Sequence, residues 1–403
     1  MHIVIIGGGA AGFFCAVNAA ALLPDATITI LEKSSKWLSK VRVSGGGRCN
    51  VTNAIFDIGE LVKKYPRGEK ELRSPFHRFS PASTIDWFQQ RGINLKKEDD
   101  GRMFPITDSS ETIITCFLNE AEKYGVDILL NTAVDEMELM AGKFNLITNR
   151  GVLPADAVVV ASGGNTGGKL EDSLIKLGHT FSASVPSLFT FNVPNHPINK
   201  LMGVSVPNAR VKIVNTKLSE LGPLLITHWG FSGPVVLRLS AWGARHLAQC
   251  HYCFQFSINW LNEASAEDIY LALSKHKQQH QQKNILFYNF DLPKRLWKYL
   301  INECGLEDQL VWQNISKAQL QKLAARICND TYQANGKTTF KDEFVTCGGI
   351  NLKEIDFKTM ESKLVKGLFF AGEIIDVDGI TGGFNFQNAW TTAWIAANSI
   401  AIS

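Results

Sequence analysis

Apolar positions along this chain fall into two textures. In the first, short and nearly unbroken apolar runs stop at glycine. His2-Ile-Val-Ile-Ile6 meets Gly7, Asp156-Ala-Val-Val-Val-Ala161 meets Ser162-Gly163, and Gly367-Leu-Phe-Phe-Ala371 meets Gly372-Glu373. Runs that are apolar on both faces predict strands of a parallel sheet covered on two sides. Alanine-rich spacing over 13–22 predicts a helix, and 26–31 a further strand. Residues 54–125 read as mostly helical, with Ser83 capping 84–91 and Ser109 or Ser110 capping 112–124. Arg102-Met-Phe-Pro105 reads as a tight break between those helices. Strands are expected over 126–130, 132–139 and 143–148.

The second texture begins near Leu188. Segments 189–193, 210–214, 224–227 and 252–258 are short or alternating and are separated by Pro and Gly, which predicts a small β-barrel. From 262 to about 327 the spacing is helical and polar, with 275–284 as a solvated connection. The last buried strand and an alanine-rich C-terminal helix therefore follow about two hundred residues after the run at 156–161. A sheet that closes so late belongs to a discontinuous domain. We expect 1–187 and 346–403 to form it, with barrel segments at 188–260 and 329–345 and helices at 261–328 inserted.

Gly7-Gly-Gly-Ala-Ala-Gly12 fits G-x-G-x-x-G directly after the first strand, and Glu32 stands twenty residues after Gly12 at the end of the next. The first glycine permits the tight turn, the second lets a pyrophosphate approach the backbone, and the third lets helix and strand pack closely. The helix N-terminus faces the phosphates, and the acid accepts hydrogen bonds from a ribose. Strand, turn, helix, strand and acid in one unit make this a dinucleotide site, whereas glycines alone also serve ordinary turns. An acid at that place favours an unphosphorylated ribose. A second glycine run, Ser44-Gly45-Gly46-Gly47, carries Lys40, Arg42, Arg48 and Asn50 around it and reads as another backbone cradle.

Composition narrows the class little. Hydrophobic content of 45% and charged content of 20% suit a soluble globular enzyme, and a net charge of +3 implies neither a nucleic-acid nor a membrane surface. Eight scattered cysteines without a framework of spacings suit a reducing, cytoplasmic compartment. We expect no signal peptide and no membrane-spanning run.

Together, Gly7–Gly12 with Glu32, Ser44-Gly-Gly-Gly-Arg-Cys-Asn50, Gly222-Pro-Leu-Leu-Ile-Thr-His-Trp-Gly-Phe-Ser-Gly-Pro234 and Ala371-Gly-Glu373 with Gly382-Gly-Phe-Asn-Phe-Gln387 resemble the BaiN-like flavoprotein family. That family is also filed as YhiN-like or aminoacetone-oxidase-type FAD-binding proteins, and the resemblance covers almost the whole chain. It implies an α/β fold: a discontinuous two-dinucleotide-binding (Rossmann-like) FAD domain with an inserted β-barrel and a small helical domain. Gly7, Gly9, Ala10, Ala11 and Gly12 would then hold the pyrophosphate, Glu32 and Lys33 the adenosine ribose, and Val134 the adenine edge through its backbone. Lys40, Ser44, Gly45, Gly46, Gly47, Arg48, Asn50, Ala161, Ser162, Gly163, Gly372 and Glu373 would line the remaining cofactor path, with Glu373 against the ribityl chain. Gly383, Phe384, Asn385 and Gln387 would present the last helix to the flavin's pyrimidine end. A helix N-terminus favours negative charge there by ~0.3–1 kcal/mol, up to ~2 when partly buried. Asn385 and Gln387 either bond the flavin or cap the helix.

Two residues are candidates for catalysis. Cys49 beside Arg48 can be a reactive thiolate, but no second cysteine lies near it in sequence, and a packed, buried thiol is the preferred reading. His228, in a glycine-broken loop, is an acid–base candidate or a turn residue in equal measure. Asp376 and Asp378 hold a hydroxyl or a cation, or cap loop backbone. Cys250-His-Tyr-Cys253 has the spacing of half a zinc site, but its apolar surroundings read as a barrel strand, so no metal is expected. The leading function is an FAD-dependent oxidoreductase acting on a small molecule, with NAD(P)H docking transiently as donor or the substrate reducing the flavin directly. The alternatives are a flavin-dependent RNA-modifying enzyme, which requires a basic surface with exposed aromatics, and a flavin-binding protein without turnover. The sequence leaves the oligomeric state open.

Overall fold

The computed structural model describes residues 1–164, 167–338 and 345–402. Asn165 and residues 339–344 of the expected return segment lie outside the described residues. By internal contact the chain divides into two compact units, Met1–Ser187 with Phe340–Ser403 and Leu188–Thr339.

In the first unit, β1 (His2–Ile6) pairs in parallel with β2 (Thr27–Leu31) on one side and β4 (Ala157–Val160) on the other. β3 (Asp127–Leu129) extends the sheet beyond β2, and β5 (Leu368–Phe370) extends it beyond β4. Two short antiparallel strands, Glu361–Ser362 and Ile355–Asp356, finish that edge. Residues 3–6 of β1, 157–160 of β4 and all of β5 are buried, as strands covered on both faces require. Two helices matter most for the site: α1 (Ala10–Leu22), which follows β1, and α2 (Phe384–Ile400), which closes the chain. They pack on each other through Phe14 and Trp390, with ring centroids 5.2 Å apart.

The region expected to be mostly helical is mixed. Helices Pro81–Gln89 and Ser110–Lys123 are present, but Thr52–Asn53, Arg102–Pro105 and Leu95–Lys97 form a small antiparallel sheet. Arg102-Met-Phe-Pro105 is therefore a strand, held by its ladder and by buried Met103 and Phe104, which outweigh the breaking signal of a terminal proline. The cap of the first helix is Ser80, and Ser83 is the reciprocal partner in its capping box. Ser109 caps the second helix by accepting from the Glu111 N–H.

The second unit contains a seven-stranded antiparallel sheet in the order Asp330–Asn335, Cys253–Asn259, Ser205–Ile213, Ser219–Ile226, Gly230–Ser232, Thr190–Asn192, Lys337–Thr338. Its two edge strands are consecutive in sequence around Gly336, so the sheet closes on itself as a barrel. Helices Ala266–Gln279, Lys294–Glu303 and Lys317–Cys328 share one core with it: Phe231, Phe256 and Trp260 from the barrel join Leu273, Trp297 and Leu323. Helix Ala266–Gln279 runs through the first half of the expected 275–284 connection. No helix among the described residues is long and apolar enough to cross a membrane.

Candidate functional site

The carboxyl ends of β5, β4, β1 and β2 lie side by side, which is where an open parallel sheet receives its ligand. They deliver Gly372-Glu373, Ala161-Ser162, Gly7-Gly8-Gly9 and Glu32 to one edge. Main-chain bonds fix that edge: the Ala161 N–H donates to the Ile6 carbonyl at 2.8 Å, and the Gly7 N–H to the Leu31 carbonyl at 2.8 Å. Gly7 has φ +116°, and a Cβ there would stand 2.4 Å from the Ala161 carbonyl oxygen, so only glycine passes. A Cβ on Gly12 would stand 1.9 Å from the Gly7 carbonyl oxygen, which is the close helix–strand approach the motif implied.

Gly9 behaves differently. It is the N-cap of α1, no side chain caps that helix, and a Cβ built on Gly9 meets nothing within 4 Å. The helix thus starts with uncapped N–H groups beside open space, which is an anion cradle. Glu32 borders it, its carboxylate accepting from the Gly8 N–H and the Ser34 N–H, both at 2.8 Å. Lys33 is exposed next to it, and the Thr132 N–H reaches the Glu32 carbonyl at 2.9 Å, which brings buried Val134 to the same end. Ser162 Oγ is buried with no hydrogen-bond partner among the described residues, a hydroxyl that a ligand at this edge would satisfy.

A second cluster surrounds the start of α2. Gly383 is its N-cap at φ +92°, again with no side-chain cap and no acid in the first turn. A Cβ on Gly383 would meet the Thr52 carbonyl oxygen at 2.5 Å and Asn50 Oδ1 at 2.9 Å, and one on Gly45 the Asn50 N at 3.1 Å. Asn50 therefore joins the Ser44–Gly47 run to the last helix. Gly45 and Gly46 are left-handed, and Gly46 and Gly47 face open space as Gly9 does. Asn53 Nδ2 donates to the Gly382 carbonyl at 3.0 Å, while Asn53 Oδ1 and Asn388 Oδ1 are buried without partners. Ser44 Oγ itself donates to the Val41 carbonyl at 3.0 Å. Lys40 Nζ bonds Glu373 Oε2 at 2.5 Å, which joins the two clusters.

Several expected contacts are reassigned. Arg48 pairs with Glu98 at 2.6 Å and Asp108 at 3.5 Å and lies 4.0 Å over the Phe104 ring, so its charge is neutralised within the protein. Gln387 is fully buried: Oε1 accepts from Thr52 Oγ1 at 2.6 Å and Thr84 Oγ1 at 2.9 Å, and Nε2 donates to Thr391 Oγ1 at 3.0 Å. Asn385 embraces the Gly379 peptide with two 2.8 Å bonds. The Phe384 ring packs on Tyr65, whose hydroxyl donates to the Phe384 carbonyl at 2.7 Å. The side chains of Gln387, Asn385 and Phe384 thus build the turn. Glu373 is a partner of Lys40 and of the Thr346 N–H, the latter at 2.7 Å.

Cys49 is packed in the core as a buried thiol. It is wholly buried at φ +61°, and burial pushes its thiol up to about 12, the Ser44 hydrogen bond opposing only in part. Asp378 is fully buried and paired with Arg67, whose Nε donates to Oδ1 at 2.5 Å, with Ser187 Oγ donating to Oδ2. Burial raises its carboxyl above the usual range despite the guanidinium. It locks a loop, and Asp376 beside it is buried as well. Arg67 escaped the sequence reading because its partner lies 311 residues away. His228 belongs to the second unit, exposed in the three-residue turn between strands Ser219–Ile226 and Gly230–Ser232, edge-on to Trp229 at 4.1 Å. Cys250 ends helix Pro234–Gln249, and Cys253 opens a barrel strand.

Residues 1–399 match the family model described as HI0933-like protein Rossmann domain. The chain is 30% identical to the ribosomal RNA dihydrouridine synthase of Haemophilus influenzae over 99% of its own length and 98% of that protein. It is 31% identical to the enzyme of the same name from Escherichia coli, over 98% and 97%. It is 29% identical to the 3-dehydro-bile acid delta(4,6)-reductase of Clostridium scindens, over 99% of both. Among solved structures, 3-ketosteroid delta1-dehydrogenase from Sterolibacterium denitrificans aligns with a TM-score of 0.53 at 12% identity over 99% of both chains. A flavocytochrome c3 fumarate reductase aligns at 0.51 and 15%, over 100% of this chain and 78% of that one. At such identities these two show a shared fold.

Proposed function

The chain belongs to the HI0933-like Rossmann family, and from that premise we propose that it is an FAD-dependent oxidoreductase that saturates the carbon–carbon double bond of uridine in ribosomal RNA. The observation that carries the cofactor is the glycine edge: the uncapped N-terminus of α1 at Gly9, open space at Gly9, Gly46 and Gly47, and a Ser162 hydroxyl with no partner among the described residues. These residues fit a dinucleotide with phosphates at one end and a ring system at the other. Gly7, Gly9, Ala10, Ala11 and Gly12 would hold the pyrophosphate, Glu32 and Val134 the adenosine end, and the 45–50 and 383–386 backbone the ring. When bound, FAD supplies two-electron transfer, which no side chain performs.

The choice of substrate rests on the relatives and on charge. Two relatives at 30% and 31% identity carry the dihydrouridine synthase name. Segment 188–339 holds 16 Lys and Arg against 9 Asp and Glu, a net +7, whereas the rest of the chain is net −4. A basic unit grafted on an acidic one is what a polyanionic substrate requires. The net reaction takes up two electrons and two protons per uridine, and NAD(P)H is proposed as the electron source.

The test is incubation of the flavin-loaded protein with an unmodified ribosomal RNA transcript and NADH or NADPH, followed by mass analysis of nucleosides. Gain of two hydrogens on uridine supports the reading, and unchanged RNA with oxidation of the donor sinks it. A second reading, reduction of a small conjugated ketone, is favoured by the full-length likeness to the bile acid reductase. It predicts turnover of a steroid enone with no RNA present.

A further inference from the structure

We propose that a belt of rings and lysines on the inserted unit, running from His276 to Arg295 and on to Lys200, is the surface that docks single-stranded RNA. The inference rests on the RNA reading above and adds where the RNA lies.

The belt is continuous through ring contacts. His280 lies 4.4 Å from His276, and His276 stacks on Tyr288 at 4.2 Å with 14° between planes. Tyr288 lies 4.7 Å from Phe290, which meets Trp297 of helix Lys294–Glu303 at 6.2 Å. Phe287 stands at its outer edge, 59% exposed, with the Lys283 ammonium 5.2 Å from its ring centre. The same helix presents exposed Lys294 and Arg295, and the Arg295 guanidinium donates to the Lys200 carbonyl at 2.7 Å, which ties that lysine to the belt.

The charges are available. Lys200, Lys275, Lys283 and Lys294 are exposed and have no carboxylate partner among the described residues. Two carboxylates are near: Asp291, exposed, and Asp308, which is engaged by Lys298. The exposed Phe287 ring, set among unpaired lysines on a rim of packed rings, matches a strand whose bases stack and whose phosphates follow at regular spacing, and every base offers a π-face. A membrane would instead ask for one continuous apolar face. Burial and the neighbouring His280 both hold His276 neutral, so it contributes as a ring and not as a charge.

The experiment uses the full chain with FAD bound and measures affinity for a single-stranded uridine-rich RNA 20-mer and for protein-free ribosomal RNA across salt. Lys283→Glu with Lys294→Glu should weaken both at least tenfold and flatten the log–log salt slope by about 1.4, at ~0.7 per lost phosphate contact. Phe287→Ala should weaken binding roughly tenfold without changing the slope, and Phe287→Trp should restore it. Unchanged flavin content and melting temperature certify the fold. If wild type binds RNA and these variants bind as tightly with the same slope, the belt is not the docking surface, while the substrate reading stands. If wild type binds neither RNA at any salt, or the belt captures only acidic protein, the proposal falls. In the first of those two cases the substrate reading falls with it.

Discussion

Thr52 Oγ1 donates to Gln387 Oε1 at 2.6 Å, joining a strand just after the second glycine run to the first turns of the last helix, 335 residues on. Thr84 donates to the same oxygen from a third element. All three side chains are buried. Gln387→Ala removes the acceptor of two enclosed hydroxyls and the donor to Thr391, at about 1–3 kcal/mol for each group left unpaired. Urea unfolding should show that loss, together with weaker flavin retention because the start of α2 is no longer anchored. A variant as stable as wild type would mean that water reaches this junction.

Arg67 and Asp378 form a pair whose side chains are 12% and 0% exposed. Removing one partner of such a pair strands the other charge, and Arg67→Met should destabilise by about 3–5 kcal/mol. Adding Asp378→Leu should recover much of that loss, because the stranded charge has then gone. A double variant no better than the single one would show that the carboxylate acts through Ser187 instead.

Two buried thiols set an alkaline limit. Cys15 and Cys49 are both raised from the ordinary 9.0 to about 12 by burial. The unfolded chain therefore loses these protons first. Their contribution to stability is full below pH 9 and declines as pH rises towards 12. Stability measured from pH 8 to 11 should fall, and Cys49→Ser should flatten that fall while leaving turnover in place. Rapid alkylation of native Cys49 at neutral pH would contradict this.

The strand, glycine turn, helix and second strand at the start of the chain were legible because their signals are local and lie within about thirty residues. What escaped was long-range. Gln387 reads as a flavin ligand until Thr52 and Thr84 are seen beside it, and Arg48 reads as an anion binder until Glu98 and Asp108 arrive. Asp378 likewise needed Arg67. The strand at Arg102–Pro105 depends on ladder partners that no local propensity encodes. The charge division between the units was hidden because +7 and −4 sum to a near-neutral chain, and only the unit boundary separates them.

Gly9 and Gly12 separate folding from cofactor binding within one turn. At Gly12 a methyl group would fall 1.9 Å from the Gly7 carbonyl oxygen, and neither partner can yield, since both belong to backbone packed between β1 and α1. Gly12→Ala should lower the melting temperature of protein stripped of flavin, before any ligand is added. At Gly9 the backbone sits at φ −93° and ψ −167°, which alanine adopts freely, and the methyl group would meet nothing within 4 Å. Gly9→Ala should therefore fold with stability within about 0.5 kcal/mol of wild type. The space it enters is nevertheless the space a pyrophosphate would fill, so FAD affinity measured by flavin fluorescence should drop at least tenfold. Undiminished FAD binding by Gly9→Ala would place the phosphates away from this turn, whatever the glycine pattern suggests.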